Sequence, residues 1–178
     1  MANAIRTGVT VLDFRHVAHH SQVCSAWESN IFTSMICQLI MAKIESSVVI
    51  DAPSDRVWEI ISDIDNEPKF WKGTKTVRNI TVKNDTIERE ITIAFRDQKC
   101  LQTVRLFPKE RVEAVFTKGI IDGSKSITLT SKDGKTNLDV MWDIKMTGIM
   151  GMFTGMVKKH IKSGTELALE NIKKEIEK

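Results

Sequence analysis

IMGMFTGMVKKHIKSGTELALENIKKEIEK, residues 149–178, is the stretch on which the fold turns. Apolar or small residues at Ile149, Phe153, Met156, Val157, Ile161, Gly164, Leu167 and Ala168 recur at three- and four-residue steps, which puts them on one face of a helix. Lys158, Lys159, Lys162, Glu166, Glu170, Lys173 and Lys174 fall mostly on the other face or its margins. At 1.5 Å per residue the helix is about 40 Å long, longer than a typical strand and able to cross most of a sheet. A single helix with so much apolar surface needs a concave partner, and the residues before it are the candidate.

Those residues read as strands joined by short turns. Strands are expected at 76–82, 86–95, 99–107, 111–118, 126–131 and 136–146, with turn signals at Asn84-Asp85, Arg96-Asp97, Pro108-Lys109, Asp122-Gly123 and Asp133-Gly134. Alternation assigns the faces. Ile87, Ile91, Ile93 and Phe95 share one side, opposite Glu88, Glu90 and Thr92; Val112, Ala114 and Phe116 share one in their strand. Leu138, Val140, Trp142, Ile144 and Met146 share a side opposite Asn137, Asp139, Asp143 and Lys145. One face of this antiparallel meander is therefore apolar and the other wet, and the apolar face must meet the long helix.

Ahead of the meander, residues 43–50 are β-branched and end at the turn signal Asp51-Ala52-Pro53, which describes a first strand. Ser54 or Asp55 caps a helix reaching about residue 63, with Val57, Trp58, Ile60 and Ile61 on its buried side. A second short helix is expected at 65–71, with Pro68 in its first turn and Lys72-Gly73 ending it. This order of elements, together with IDAPSDRVWEIISDIDNEPKFW at residues 50–71, resembles the polyketide cyclase/dehydrase family. That family belongs to the helix-grip superfamily, with START domains and the birch pollen allergen family. The resemblance covers about residues 43–177. It implies an α+β helix-grip fold: a curved seven-stranded antiparallel sheet wrapped around the C-terminal helix, with a cavity between them. It also implies a hydrophobic guest in that cavity (lipid, sterol, quinone or polyketide), with enzymes a minority, so fold follows from it more firmly than chemistry.

Composition bounds the rest. With 178 residues, 42% hydrophobic and 28% charged, the chain can bury one globular core. A net charge of +3, and no Arg-rich stripe with interleaved aromatics, argue against nucleic acid as the partner. Cys24, Cys37 and Cys100 are odd in number and widely spaced, without a CxxC pattern, which points to a reducing, cytoplasmic setting. No apolar run approaches the roughly 18 residues of a membrane-spanning helix. Residues 1–40 differ from the rest: they hold His16, His19 and His20, two cysteines and only Arg6, Asp13, Arg15 and Glu28 as charges. They read as an N-terminal extension, poorly ordered or dispensable, before a ligand-binding domain at 41–178. His16, His20 and Cys24 at i, i+4, i+8 would line one helix face as zinc ligands, but no helix-forming pattern surrounds them and a fourth ligand is not evident, so no metal is expected.

Given the resemblance, the ligand-binding candidates are Arg89, Ile91, Ile93, Phe95, Phe116, Trp142, Met150, Phe153, Met156 and His160. Arg89, in register with Ile87 and Ile91, faces inward; a buried guanidinium needs an anionic or carbonyl ligand or an internal carboxylate, unless it snorkels to water at the strand end. His160 lies by angle near the centre of the helix's apolar face, as a hydrogen-bonder, a base, or a histidine satisfied by the sheet or a water. Asn171 lies on that face too, as a polar contact to the sheet. Met146, Met150, Met152 and Met156, interleaved with Gly148, Gly151 and Gly155, suit either a mobile entrance or a loosely packed helix start. Trp58 and Trp71 read as core or cavity wall, and Cys100 has no histidine partner in sequence to make it a nucleophile. Lys158, Lys159 and Lys162 read as a solvated face or a transient contact to anionic lipid headgroups.

The leading expectation is a carrier or sensor of a small hydrophobic molecule, without a cofactor. The alternatives are a polyketide cyclase- or dehydratase-like enzyme, with His160 moving protons and Arg89 polarising a carbonyl, or a protein or membrane interaction module with a collapsed cavity. Tyrosine is absent and no acid–base pair is evident from spacing, which weighs against the enzyme. If residues 1–40 are dispensable, their deletion leaves the thermal midpoint of the remaining chain nearly unchanged in a calorimetric scan; a large drop removes that reading.

Overall fold

The computed structural model describes residues 41–146 and 154–178. The expectations placed on residues 1–40, including His16, His20 and Cys24, and on Met150, Met152 and Phe153 lie outside the described residues. Strand β1 (Met41–Ile50) leads to helix α1 (Ser54–Ile61), a 3-10 turn (Ile64–Asn66) and the one-turn helix α2 (Glu67–Phe70). Strands β2 (Thr74–Lys83), β3 (Thr86–Ile93), β4 (Lys99–Phe107), β5 (Arg111–Lys118), β6 (Ile121–Lys132) and β7 (Lys135–Met146) follow, and helix α3 (Thr154–Ile176) closes the chain. The sheet is antiparallel with seven strands in the order β1-β7-β6-β5-β4-β3-β2. Each strand of the meander thus pairs with its sequence neighbour, while β1 returns to pair with β7, placing Ile44 opposite Trp142 and Ile50 opposite Thr136.

Local chemistry sets the connections. The β6–β7 hairpin turns at Asp133 and Gly134, with φ of 53° and 76°, the paired left-handed conformations that a two-residue hairpin loop demands. Asn84 and Lys109 take φ of 49° and 62° in the neighbouring hairpins. Asp122-Gly123 is not the turn that the dipeptide suggests. Gly123 lies inside β6, paired with both Phe116 and Ile144, and β6 begins five residues earlier than expected. Its φ is +119°, and a Cβ there would sit 2.1 Å from the Asp143 carbonyl oxygen, so glycine at this position allows two backbones to approach closely.

The inner face of the sheet carries the alternation that the sequence shows. Ile87, Ile91, Val112, Ala114, Phe116, Leu138, Val140 and Ile144 are all buried. Against them α3 lays Val157, Ile161, Thr165, Ala168, Leu169, Ile172 and Ile176, buried or partly buried. This corrects the helix face. Met156 is 73% exposed, Leu167 is 52% exposed, and His160 and Gly164 are exposed, so the buried stripe lies about a quarter of a turn from the expected one. The physical reason is Thr165. Read backwards from Ile176, Ile172 and Ala168, the stripe passes through a polar residue whose hydroxyl donates to the Ile161 carbonyl at 2.8 Å and accepts from Trp142 Nε1 at 3.0 Å. A satisfied hydroxyl is buried at little cost, and it breaks the apolar pattern only on paper.

Replacing Gly123 by alanine forces a left-handed φ on a residue with a Cβ and drives that carbon into β7. Urea denaturation of Gly123→Ala is expected to show a loss of about 1–3 kcal/mol, against a gain of about 0.5–1 kcal/mol for Gly164→Ala, an exposed helix-interior position with open space for a Cβ.

Candidate functional site

The most unusual chemistry of the inner face is a buried charge cluster at the foot of α2. Glu67 opens that helix, and Pro68 beside it fits the first turn because no amide hydrogen is needed there. The short helix points the Glu67 carboxylate down onto the sheet, where Arg89 on β3 and Lys125 on β6 reach it from opposite sides. Arg89 Nη2 donates to Glu67 Oε2 and Lys125 Nζ to Glu67 Oε1. Arg89 also donates through Nε to Gln102 Oε1 at 3.0 Å and through Nη1 to the Ile64 carbonyl at 3.1 Å. Gln102 stands directly opposite Arg89 across the β3–β4 ladder. Glu67, Arg89, Gln102 and Lys125 are at most 8% exposed.

Aromatic rings complete the surroundings. Lys125 Nζ lies 4.2 Å from the Trp71 ring centre and 5.3 Å from that of Trp142, within range of a cation–π attraction. Trp71 and Trp142 meet edge to face at 6.2 Å, and Phe116 stacks on the other side of Trp142 at 6.2 Å. Beside the cluster, between the α1–α2 segment and the sheet and touched by Ile172 of α3, lies a cavity of about 20 Å³, room for about one water. Ile64, Phe70, Ile127 and Ile172 line it with hydrocarbon, and Glu67, Arg89 and Lys125 line it with charge.

Electrostatics follow from two cations sharing one carboxylate. Burial pushes the Glu67 carboxyl up, but the Lys125 and Arg89 charges and their hydrogen bonds outweigh it and hold the group at about 2. For Lys125 burial and the like charge of Arg89 act together against Glu67, and the ammonium is pushed below its ordinary value. Glu67 is therefore an anion at neutral pH and no general base.

Of the residues singled out from sequence, the structure brings Arg89, Ile91, Phe116 and Trp142 together on the inner face, with Ile93 partly buried beside them. Phe95 is 45% exposed beyond the end of β3, under the Arg96 guanidinium. Met156 and His160 face away from the sheet, and Asn171 is partly buried. Glu67, Gln102, Lys125 and Thr165 were not anticipated. Lys125 alternates with Ile127 and Leu129, and Gln102 with Cys100 and Val104, so strand period marks both as inward once the strand bounds are right. Nothing in the sequence marks Glu67.

Comparison with known proteins places this geometry in context. A family model described as polyketide cyclase / dehydrase and lipid transport matches residues 41–177. No curated protein matches the sequence. Among solved structures, an aromatase/cyclase from Streptomyces sp. R1128 (Zhui) is similar at a TM-score of 0.68 and 17% identity, covering 77% of this chain and 94% of that one. A protein from Thermus thermophilus is similar at 0.67 and 13% identity, over 75% of this chain and 96% of its own. A START superfamily protein from Mycobacterium smegmatis gives 0.54 and 14%, over 74% and 99%. At these identities the likeness is one of fold.

Removing the carboxylate strands two buried cations, whereas removing one cation leaves a matched pair. Glu67→Gln is expected to cost about 3–5 kcal/mol in denaturant unfolding, and Lys125→Met less than about 1 kcal/mol. Because the Glu67 carboxyl sits lower in the folded chain than its ordinary 4.5, its contribution is full above pH 4.5 and is lost as pH falls from there toward 2. The part of the acid-side slope due to this group should vanish in Glu67→Gln.

Proposed function

This chain belongs to the polyketide cyclase/dehydrase and lipid transport family, and on that premise we propose that it binds a small apolar molecule between the inner face of its sheet and α3, as a carrier or sensor. The observation that supports the reading is the mostly apolar slot between the α1–α2 segment, Ile172 of α3 and the sheet, with Glu67, Arg89 and Lys125 also in its lining. Such a slot desolvates an apolar body at roughly 25 cal/mol per Å² while a few polar groups fix its orientation. As it stands the slot has room for about one water, so uptake requires one wall to yield. The softer wall is the α1–α2 segment. Helices of eight and four residues have little stability of their own and depend on packing. The C-terminal half of α3 is the firmer wall, since Ala168, Leu169, Ile172 and Ile176 are at most 3% exposed.

The cyclase or dehydratase alternative asks for a proton-transfer group inside the cavity. His160, its candidate from sequence, is exposed on the outer side of α3, and Glu67 is held as an ion pair. These placements favour binding over catalysis. Membrane contact through Lys158, Lys159 and Lys162 belongs to the same proposal as a route of delivery: all three are exposed, and no helix among the described residues is long and apolar enough to cross a bilayer.

Native mass spectrometry of the purified protein is expected to show a bound apolar molecule, and the stripped protein to take up the neutral probe Nile red. Ile127→Phe, which fills the cavity with hydrocarbon, should weaken uptake by about tenfold, the scale of one or two methylenes displaced. Uptake unchanged in a folded Ile127→Phe protein would place the probe elsewhere and sink the reading.

A further inference from the structure

We propose that one end of the molecule, formed by the β3–β4 and β5–β6 turns and the first half of α3, docks on an anionic lipid bilayer, with Met156 entering the interface among lysines. This docking rests on the binding reading above for its cargo alone, and gives the delivery route a surface and a lipid class. Strand topology brings the three segments together. In an antiparallel meander the β3–β4 and β5–β6 turns leave the same end of the sheet, and Val157 and Ile161 lay the first half of α3 over Phe116, Ile121 and Ile144 toward that end. Cations and hydrocarbon are what this end exposes. Lys158, Lys159 and Lys162 are exposed on α3, which carries no acid before Glu166, and Arg96 and Lys118 are exposed at the two turns. Among them stand Met156, 73% exposed, and Phe95, 45% exposed with the Arg96 guanidinium 5.3 Å from its ring centre.

Charge decides the occupant. Acids near these turns are already matched: Asp97 accepts from Lys75, and Asp122 stands opposite Lys145 in the β6–β7 ladder. Arg96, Lys118, Lys158 and Lys159 have no carboxylate partner among the described residues. At the other end of the molecule Lys109, Lys135 and Lys178 each meet a carboxylate, at 3.0, 3.4 and 2.9 Å. The net charge is only +3, so the asymmetry lies in placement and not in composition. A second copy on this face would set lysines against lysines. An anionic bilayer instead offers phosphates to the ammonium groups and hydrocarbon just below them, so long lysine chains reach the headgroups while Met156 and Phe95 go deeper. An apolar cargo points the same way, because its reservoir is a membrane and not water. The face also adjoins the wall that uptake requires to yield: Ala94 N, in the β3–β4 turn, donates to the carbonyl of Gly73, just beyond α2, at 2.8 Å.

The test is co-sedimentation of the full chain with vesicles of phosphatidylcholine, alone or mixed equally with phosphatidylglycerol. Binding is expected to the mixed vesicles and not to the neutral ones, and it should fall as salt rises. The double variant Lys158→Gln, Lys159→Gln should bind about 30-fold more weakly, the scale of two lysines at an anionic surface. Lys83→Gln with Lys132→Gln removes the same charge from exposed hairpin positions at the opposite end, and should stay within about threefold of wild type. Met156→Ser should lose about fivefold and keep the wild-type salt dependence. Equal binding to both vesicles, binding to neither, an equal loss in the opposite-end variant, or a Met156→Ser protein that binds like wild type each overturns the inference. Retention on duplex DNA without binding to the mixed vesicles overturns it in favour of a nucleic acid. Nile red uptake by the same preparation separates the two readings: uptake without vesicle binding removes the docking face and leaves the guest, and vesicle binding without uptake removes the guest and leaves the face.

Discussion

One carboxylate holds the inner face of this protein together. Glu67 sits at the junction of α2, β3 and β6, three elements that are not neighbours in the backbone hydrogen-bond ladder. Arg89 and Lys125 approach it across the width of β4 and β5, so the ion pairs fix both the height of α2 above the sheet and the spacing of two strands three positions apart. Desolvating three charges costs several kcal/mol per ion, and only close hydrogen-bonded geometry offsets that cost. The cluster has such geometry at every member, with Gln102 and the Ile64 carbonyl taking further Arg89 bonds. A half-satisfied version of it would be worse than hydrocarbon.

The apolar core falls into two groups, and the cluster sits among the residues of the first. One apolar group gathers under the C-terminal half of α3, around Ile50, Val57, Leu138, Leu169 and Ile172. A second gathers at Ile91, Cys100, Phe116, Ile121 and Ile144, with Val157 and Ile161 laid over it. Trp142 packs against both, donates to Thr165 on the helix, and lies within reach of the Lys125 ammonium. Helix and sheet are thus registered by one indole, through a polar bond in an otherwise apolar interface. A directional bond at that position fixes rotation of the helix about its axis, which apolar contact alone leaves loosely specified.

The fold was legible because strand alternation and the turn signals between strands were clean. Strand alternation in β3, β5 and β7 marked the inner face, and the Asp133-Gly134 and Asn84-Asp85 pairs marked hairpins. The strand–helix–helix opening with its Pro53 and Pro68 placed the rest. What escaped was polar and inward. Thr165 interrupts the buried stripe of α3, so the eye follows Met156, Gly164 and Leu167 around the wrong side, and His160 goes with them. Gly123 looks like a turn because the glycine of a close strand approach and the glycine of a hairpin are the same letter. Misplacing that turn cut β6 short and put Lys125 in a loop, hiding half of the cation pair. Glu67 is a further case: on a one-turn helix no period exists to give its direction, and only the tertiary position of α2 turns it inward. Arg89 alone was legible, because its strand was long enough for alternation to place it between Ile87 and Ile91.

Stability does not account for the cluster. A buried salt-bridge triad replaced by apolar residues of similar volume is often neutral or gains stability, so hydrocarbon at these positions would serve packing as well or better. The inner face is rich in isoleucine, leucine and valine, and the material for such a core is present on the neighbouring strands. A second cation on one carboxylate goes further still: Lys125 adds the repulsion of Arg89 to its own desolvation, a cost that a plain Arg89–Glu67 pair would not carry. That cost falls on the group nearest the aromatic rings. The Glu67–Arg89 pair, bonded in turn to Gln102 and the Ile64 carbonyl, is thus the better satisfied part of the cluster, and Lys125 the strained one.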